Sequence, residues 1–161
     1  MALRAIRIQG DSVLEKVCKP VKEMTPKIAT LIDDMFDTMY EECGVGLAAP
    51  QIGILKRICV IDIGGEEAYV FINPKILETA GEQTGDEGCL SLPGKAGLVT
   101  RPNYVKVEAL DENMEPFVLE AEGLLARAVC HELDHLDGVM YTAHVQGELH
   151  DVQYASNEEE E

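Results

Sequence analysis

Gly123-Leu124-Leu125-Ala126-Arg127-Ala128-Val129-Cys130-His131-Glu132-Leu133-Asp134-His135-Leu136-Asp137-Gly138 is rich in good helix formers, contains no proline, and ends on a glycine suited to a C-terminal cap. Leu124, Ala128, His131 and His135 recur at i, i+4, i+7 and i+11, so the two histidines close an apolar stripe. At about 100° and 1.5 Å per residue they lie about 40° apart around a helix and about 6 Å along it. Both imidazoles can then reach one metal ion. Glu132 falls about 60° from His135, placed to meet a water on that ion without ligating it. Chance yields this H-E-x-x-H pattern in roughly one such chain in a few hundred. A hydrolytic metal centre with half-buried histidines is therefore expected over ordinary core histidines.

A chain of 161 residues is one domain by default. At that size it buries roughly 70% of its unfolded surface. Its 46% hydrophobic and 27% charged residues fit an ordinary globular protein. No apolar run approaches membrane-spanning length, and the first residues resemble no secretory signal, so a cytoplasmic protein without membrane contact is expected. A formal charge of −17 argues against direct nucleic-acid binding. Five cysteines, an odd number with no C-x-x-C spacing, imply reduced thiols rather than a disulfide framework or zinc ribbon. Asn157 and the four glutamates after it read as the end of a flexible acidic tail, residues 151–161, behind a single domain over 1–150.

Thr25-Pro26 opens the clearest helix, with threonine as N-cap and proline in the first turn. Ile28, Leu31, Ile32, Met35 and Met39 then repeat with helical period up to Gly44. Residues 57–63 and 69–72, separated by Gly64-Gly65, read as one strand pair. Residues 104–110 and 117–121, joined by Asp111-Glu112-Asn113, read as a second. The order predicts an α+β fold: antiparallel β-sheets packed around the H-E-x-x-H helix in the C-terminal half, with a long N-terminal helix.

A catalytic ion usually takes three protein ligands. Completion in the pattern H-E-x-x-H-x-x-G-x-x-H would need a histidine at position 141, which is Tyr141. His144 and His150 follow in a polar stretch and are poor candidates. Cys89 is the better third ligand: Gly88 beside it and Pro93-Gly94 after it allow an irregular, closely approaching backbone. A small buried hydrophobe is the ordinary alternative for such a cysteine, and the one expected of Cys18, Cys43, Cys59 and Cys130.

Gly44-Val45-Gly46-Leu47-Ala48-Ala49-Pro50-Gln51, Glu87-Gly88-Cys89-Leu90-Ser91 and His131-Glu132-Leu133-Asp134-His135-Leu136 resemble, in order and spacing, the three signature motifs of peptide deformylases. The likeness runs over nearly the whole chain. It implies a ferrous ion held by Cys89, His131 and His135, and removal of the formyl group from N-formylmethionyl nascent peptides. The ligand chemistry by itself would also accept zinc, nickel or cobalt. Glu132 would carry the proton, while the Gln51 amide and the Leu90 backbone N–H would meet the oxyanion. The resemblance further implies that an extended peptide pairs with the chain at Gly46. Val45, Leu124 and Ala128 are expected to line an apolar methionine pocket. Asp134 either orients a ligand, pairs with a base such as Arg101, or is a solvated charge. Cys130 stands where the family often has glutamine. Some members end in a basic helix thought to contact the ribosome; the acidic end here leaves at most a transient contact. An H-E-x-x-H peptidase and an inactive formyl-peptide-binding domain are the alternatives.

Overall fold

Two antiparallel sheets and two α-helices form a mixed α+β fold; the computed structural model describes residues 2–65 and 67–152. The helices are α1 (Pro26–Glu41) and α2 (Gly123–Leu136). The strands are β1 (Gly46–Ala48), β2 (Ile58–Ile61), β3 (Tyr69–Ala80), β4 (Gln83–Cys89), β5 (Leu92–Arg101), β6 (Tyr104–Leu110), β7 (Pro116–Glu122) and β8 (Gln146–Asp151). One sheet has the order β1-β2-β3-β6-β7, the other β4-β5-β8.

The Thr25 hydroxyl accepts the Ile28 N–H at 3.1 Å, capping α1 as the Thr-Pro pair predicts. Ile28, Leu31, Ile32, Met35 and Met39 are all buried, in one cluster with Leu47, Ile58, Val60 and Ile72. On the other side, Ala126, Val129, Leu133 and Leu136 of α2 join Cys59, Ile61, Phe71, Val105 and Val107. Alternate residues of β2 thus enter opposite clusters, and all four are fully buried. That is why β2 reads as an unbroken apolar run rather than an alternation.

Strands β6 and β7 lie where the sequence puts them, but β3 is longer than expected. Residues 69–72 are only its first third, because register shifts near Asn73 and Ile76 interrupt the pattern. Asn73 adopts φ 53° and exchanges two 2.8 Å hydrogen bonds with the Val21 backbone, fastening the N-terminal strap to the sheet. The second sheet is a finding that periodicity does not foretell. Gly88 and Pro93-Gly94 allow an irregular backbone at Cys89, yet segment 84–97 lies within the β4–β5 hairpin. Its charged residues and four glycines carry no alternating apolar signal. Every residue of β8 is exposed, so burial leaves no pattern there either.

Gly138 ends the turn after α2 with φ 79°, and its N–H donates to the His135 carbonyl at 3.1 Å. A Cβ at this position would lie 2.6 Å from the Glu15 carbonyl oxygen. Gly138→Ala is expected to cost about 2–4 kcal/mol, combining left-handed strain with a backbone clash. Urea denaturation measures it; a loss below about 0.5 kcal/mol, the size of an ordinary surface substitution, would contradict this role.

Candidate metal centre and substrate cavity

The last turns of α2 bring His131 and His135 against the C-terminal end of β4. The Cys89 sulfur lies 3.3 Å from His135 Nε2, and the three candidate ligand atoms all fall within 4.8 Å of one another. Tetrahedral bonds of about 2.1 Å to nitrogen and 2.3 Å to sulfur imply separations of about 3.4–3.6 Å between such donors. The three side chains therefore fit one small divalent ion with little adjustment. Both histidines are buried more deeply than the expected half. One reason is Tyr141, itself buried, whose ring stacks on His131 at 5.9 Å between centroids. The residue that occupies the place of a third histidine packs on the first.

His144 and His150 sit elsewhere. His144 faces Asp134 at 3.1 Å and His150 faces Asp86 at 3.2 Å. Asp134 also accepts from Arg101 at 2.8 Å, which settles the choice left open for it. Cys130 is buried, and burial pushes its thiol up to about 11, so it is a neutral core residue outside the ligand cluster.

Glu87 is the residue to which the sequence reading gave no role. Its buried carboxylate accepts from Arg101 Nη2 at 2.6 Å and Nε at 3.1 Å, and from Arg127 Nη1 at 2.7 Å. The other contact is a close hydrogen bond with His131 Nδ1. Burial alone would raise its pKa; the hydrogen bonds from His131 and Arg101 outweigh that and hold it well below the usual carboxylate range. With Nδ1 engaged, Nε2 is the His131 nitrogen left for an ion. A signal existed: a ligating histidine nearly always donates its second nitrogen to a carboxylate or carbonyl. Glu87 stands two positions before Cys89 on the same strand.

Gln51 lies on a 3-10 turn, Ala49–Ile52, and is almost fully buried. Its carbonyl oxygen accepts the Ala48 N–H at 2.9 Å, which aims the amide nitrogen at Ser91 Oγ (3.1 Å) and Cys89 Sγ (3.5 Å). Leu90 and Ser91 form the tight turn of the β4–β5 hairpin. Glu132 is 4% exposed, and its Oε1 has no hydrogen-bond partner among the described residues. Burial, more than any neighbour, pushes this carboxyl up to about 7. The carboxylate occupies the space that Gly46 leaves by lacking a side chain, so a Cβ at 46 would overlap Glu132 Oε2.

These groups open into a cavity of about 370 Å³ that Val45, Gly46, Leu90, Leu124, Ala128 and Glu132 help to line. Val45 and Leu124 are exposed at 42% and 52%, whereas Ala128 is buried. β1 and β4 are edge strands of different sheets, and residues of both line this cavity. An extended chain between them would find unpaired backbone groups on either side.

The polypeptide deformylase family profile matches residues 3–150. The chain is 65% identical to a peptide deformylase of Lachnoclostridium phytofermentans, with all of both chains covered. A crystal structure of a peptide deformylase from Legionella pneumophila superposes with a TM-score of 0.87 at 46% identity, covering 90% of this chain and 87% of that one. The peptide deformylase from Thermotoga maritima superposes at 0.88 with 38% identity, covering 91% of this chain and 100% of that one. This chain belongs to the polypeptide deformylase family, metal-dependent hydrolases that remove the N-formyl group from newly made polypeptides.

Proposed function

We propose that Cys89, His131 and His135 hold one ferrous ion, and that residues 1–150 act as a single catalytic domain on formyl-methionyl chains in the cytoplasm. The soft thiolate beside two imidazoles suits a first-row divalent ion, and zinc, nickel or cobalt would fit the same donors. Such an ion would supply Lewis acidity to the attacking water and the formyl carbonyl. Glu132 would take a proton from that attacking water and deliver it to the amine that leaves. The Gln51 amide N–H and the Leu90 backbone N–H meet the oxyanion as hydroxide adds to the formyl carbon. Gly46 and the open edges of β1 and β4 hold the peptide main chain in an extended form, so recognition is largely independent of sequence. Val45, Leu124 and Ala128 receive the methionine side chain. Contact with the ribosome is transient. Apart from Asp151 and Val152, the acidic tail lies outside the described residues.

The observation that carries this reading is Glu132: a buried carboxylate with one unpartnered oxygen, in the cavity that also holds the thiol and imidazole cluster. Such a group is costly to keep unless a substrate or water uses it. A peptidase completed by a later histidine is disfavoured, because His144 and His150 engage Asp134 and Asp86. Protein loaded with ferrous iron under anaerobic conditions is expected to release formate from a formyl-methionyl peptide without cutting the peptide further. It is also expected to lose activity in air faster than the nickel or zinc form. No formate would leave only the inactive binding domain; equal lifetimes would remove the case for iron.

A further inference from the structure

Val152 follows β8, whose six residues are all exposed and make no contribution to the core, yet it lines the same cavity as His131 and Glu132. Its place there is built rather than incidental. The Val152 N–H donates to the Gly94 carbonyl at 3.0 Å, and β8 pairs with β5 through Lys95↔Asp151 and Ala96↔His150. The Lys95–Asp151 ion pair at 2.5 Å and a contact of His150 Nε2 with the Asp86 carboxylate at 3.2 Å reinforce the strand. Lys95 and Asp86 also line the cavity. Gly97 makes the seat: a Cβ there would lie 2.7 Å from both Val145 methyl carbons and 3.1 Å from Leu149 Cδ2. The bare position on β5 lets these two side chains settle and so fixes where β8 ends.

We infer that Val152 is a specificity-determining residue, extending the apolar lining that Val45 and Leu124 give the methionine site so that the rim favours an apolar side chain downstream of the formyl-methionine. All three side chains are exposed and line one cavity, an arrangement that otherwise leaves apolar surface in water. The lining residues Lys95 and Asp86 each already have a partner on β8, Asp151 and His150, which leaves them less available to attract a polar residue. The inference rests on the deformylase reading, since the occupant is the substrate held between β1 and β4.

The test compares kcat/KM for formyl-Met-Ala-Ser-Ser with peptides in which leucine replaces the second, third or fourth residue. One leucine position is expected to raise kcat/KM by about three- to tenfold, the scale of a few methylenes in an apolar site. Val152→Asp is expected to abolish that preference, and Gly97→Val, which lifts β8, to weaken it. Circular dichroism and metal content check that each variant is folded and loaded. Formate release with no leucine preference, or with a preference untouched in a folded Val152→Asp protein, would overturn the inference. Absence of formate from every peptide would instead defeat the deformylase reading.

Discussion

Glu132→Gln is expected to keep its metal and lose about 10²–10⁴-fold in turnover, the usual contribution of a positioned proton carrier. Glutamine fills the same space beside Gly46 but cannot accept and return a proton. Gly46→Ala should reproduce much of this loss from across the cavity, because its added methyl displaces the carboxylate and leaves the three ligands untouched. Metal loss in Glu132→Gln would mean that the glutamate is a ligand. Stability should move the other way. Burial raises the Glu132 carboxyl to about 7 in the folded chain, above its unfolded value, so ionising it costs stability as pH rises through that range. In chelator-treated protein, Glu132→Gln should therefore melt higher than the parent at pH 8 and lose that advantage near pH 4. A variant that melts lower at pH 8 would contradict the burial argument.

The second large effect is expected at Glu87. Its carboxylate compensates two buried guanidinium groups and holds His131 at once. Removing it by Glu87→Ala leaves Arg127 with only carbonyl acceptors and half of the Arg101 fork without its carboxylate in the interior. Breaking a buried ion pair from one side typically costs about 3–5 kcal/mol. For a domain of this size that lowers the melting temperature by on the order of 10 °C. Metal affinity should fall as well, by about 10- to 100-fold, because His131 loses the acceptor that fixes its ring. Glu87→Gln keeps one acceptor oxygen and should be milder on both counts. A Glu87→Ala protein with unchanged melting temperature and metal affinity would show that the arginines find other partners.

What could be read from the sequence follows what was periodic. The α1 stripe from Ile28 to Met39 and the capping Thr25-Pro26 are a local code, and they match the folded helix closely. The H-E-x-x-H segment is equally local, so its helix and the convergence of its histidines were both legible. Strand β4 was not, because Asp86, Glu87 and Gly88 serve a contact with His150, a buried network and a close backbone approach rather than an apolar face. Gln51 illustrates the same limit at the site. Its position in a turn suggests an exposed polar side chain, and only the fold brings its amide within 3.5 Å of Cys89, which lies 38 positions away. In the sequence Tyr141 marks only the absence of a third histidine, although its ring packs on the first.

The central claim is that one centre, made of a β4 thiolate and two α2 histidines, supports the hydrolysis. Metal content after anaerobic loading with ferrous iron, compared between the parent and Cys89→Ala, tests it most directly. The parent is expected to hold one equivalent and the variant close to none, with formate release lost in step. A Cys89→Ala protein that still binds one equivalent of iron would place the third ligand elsewhere and contradict the account.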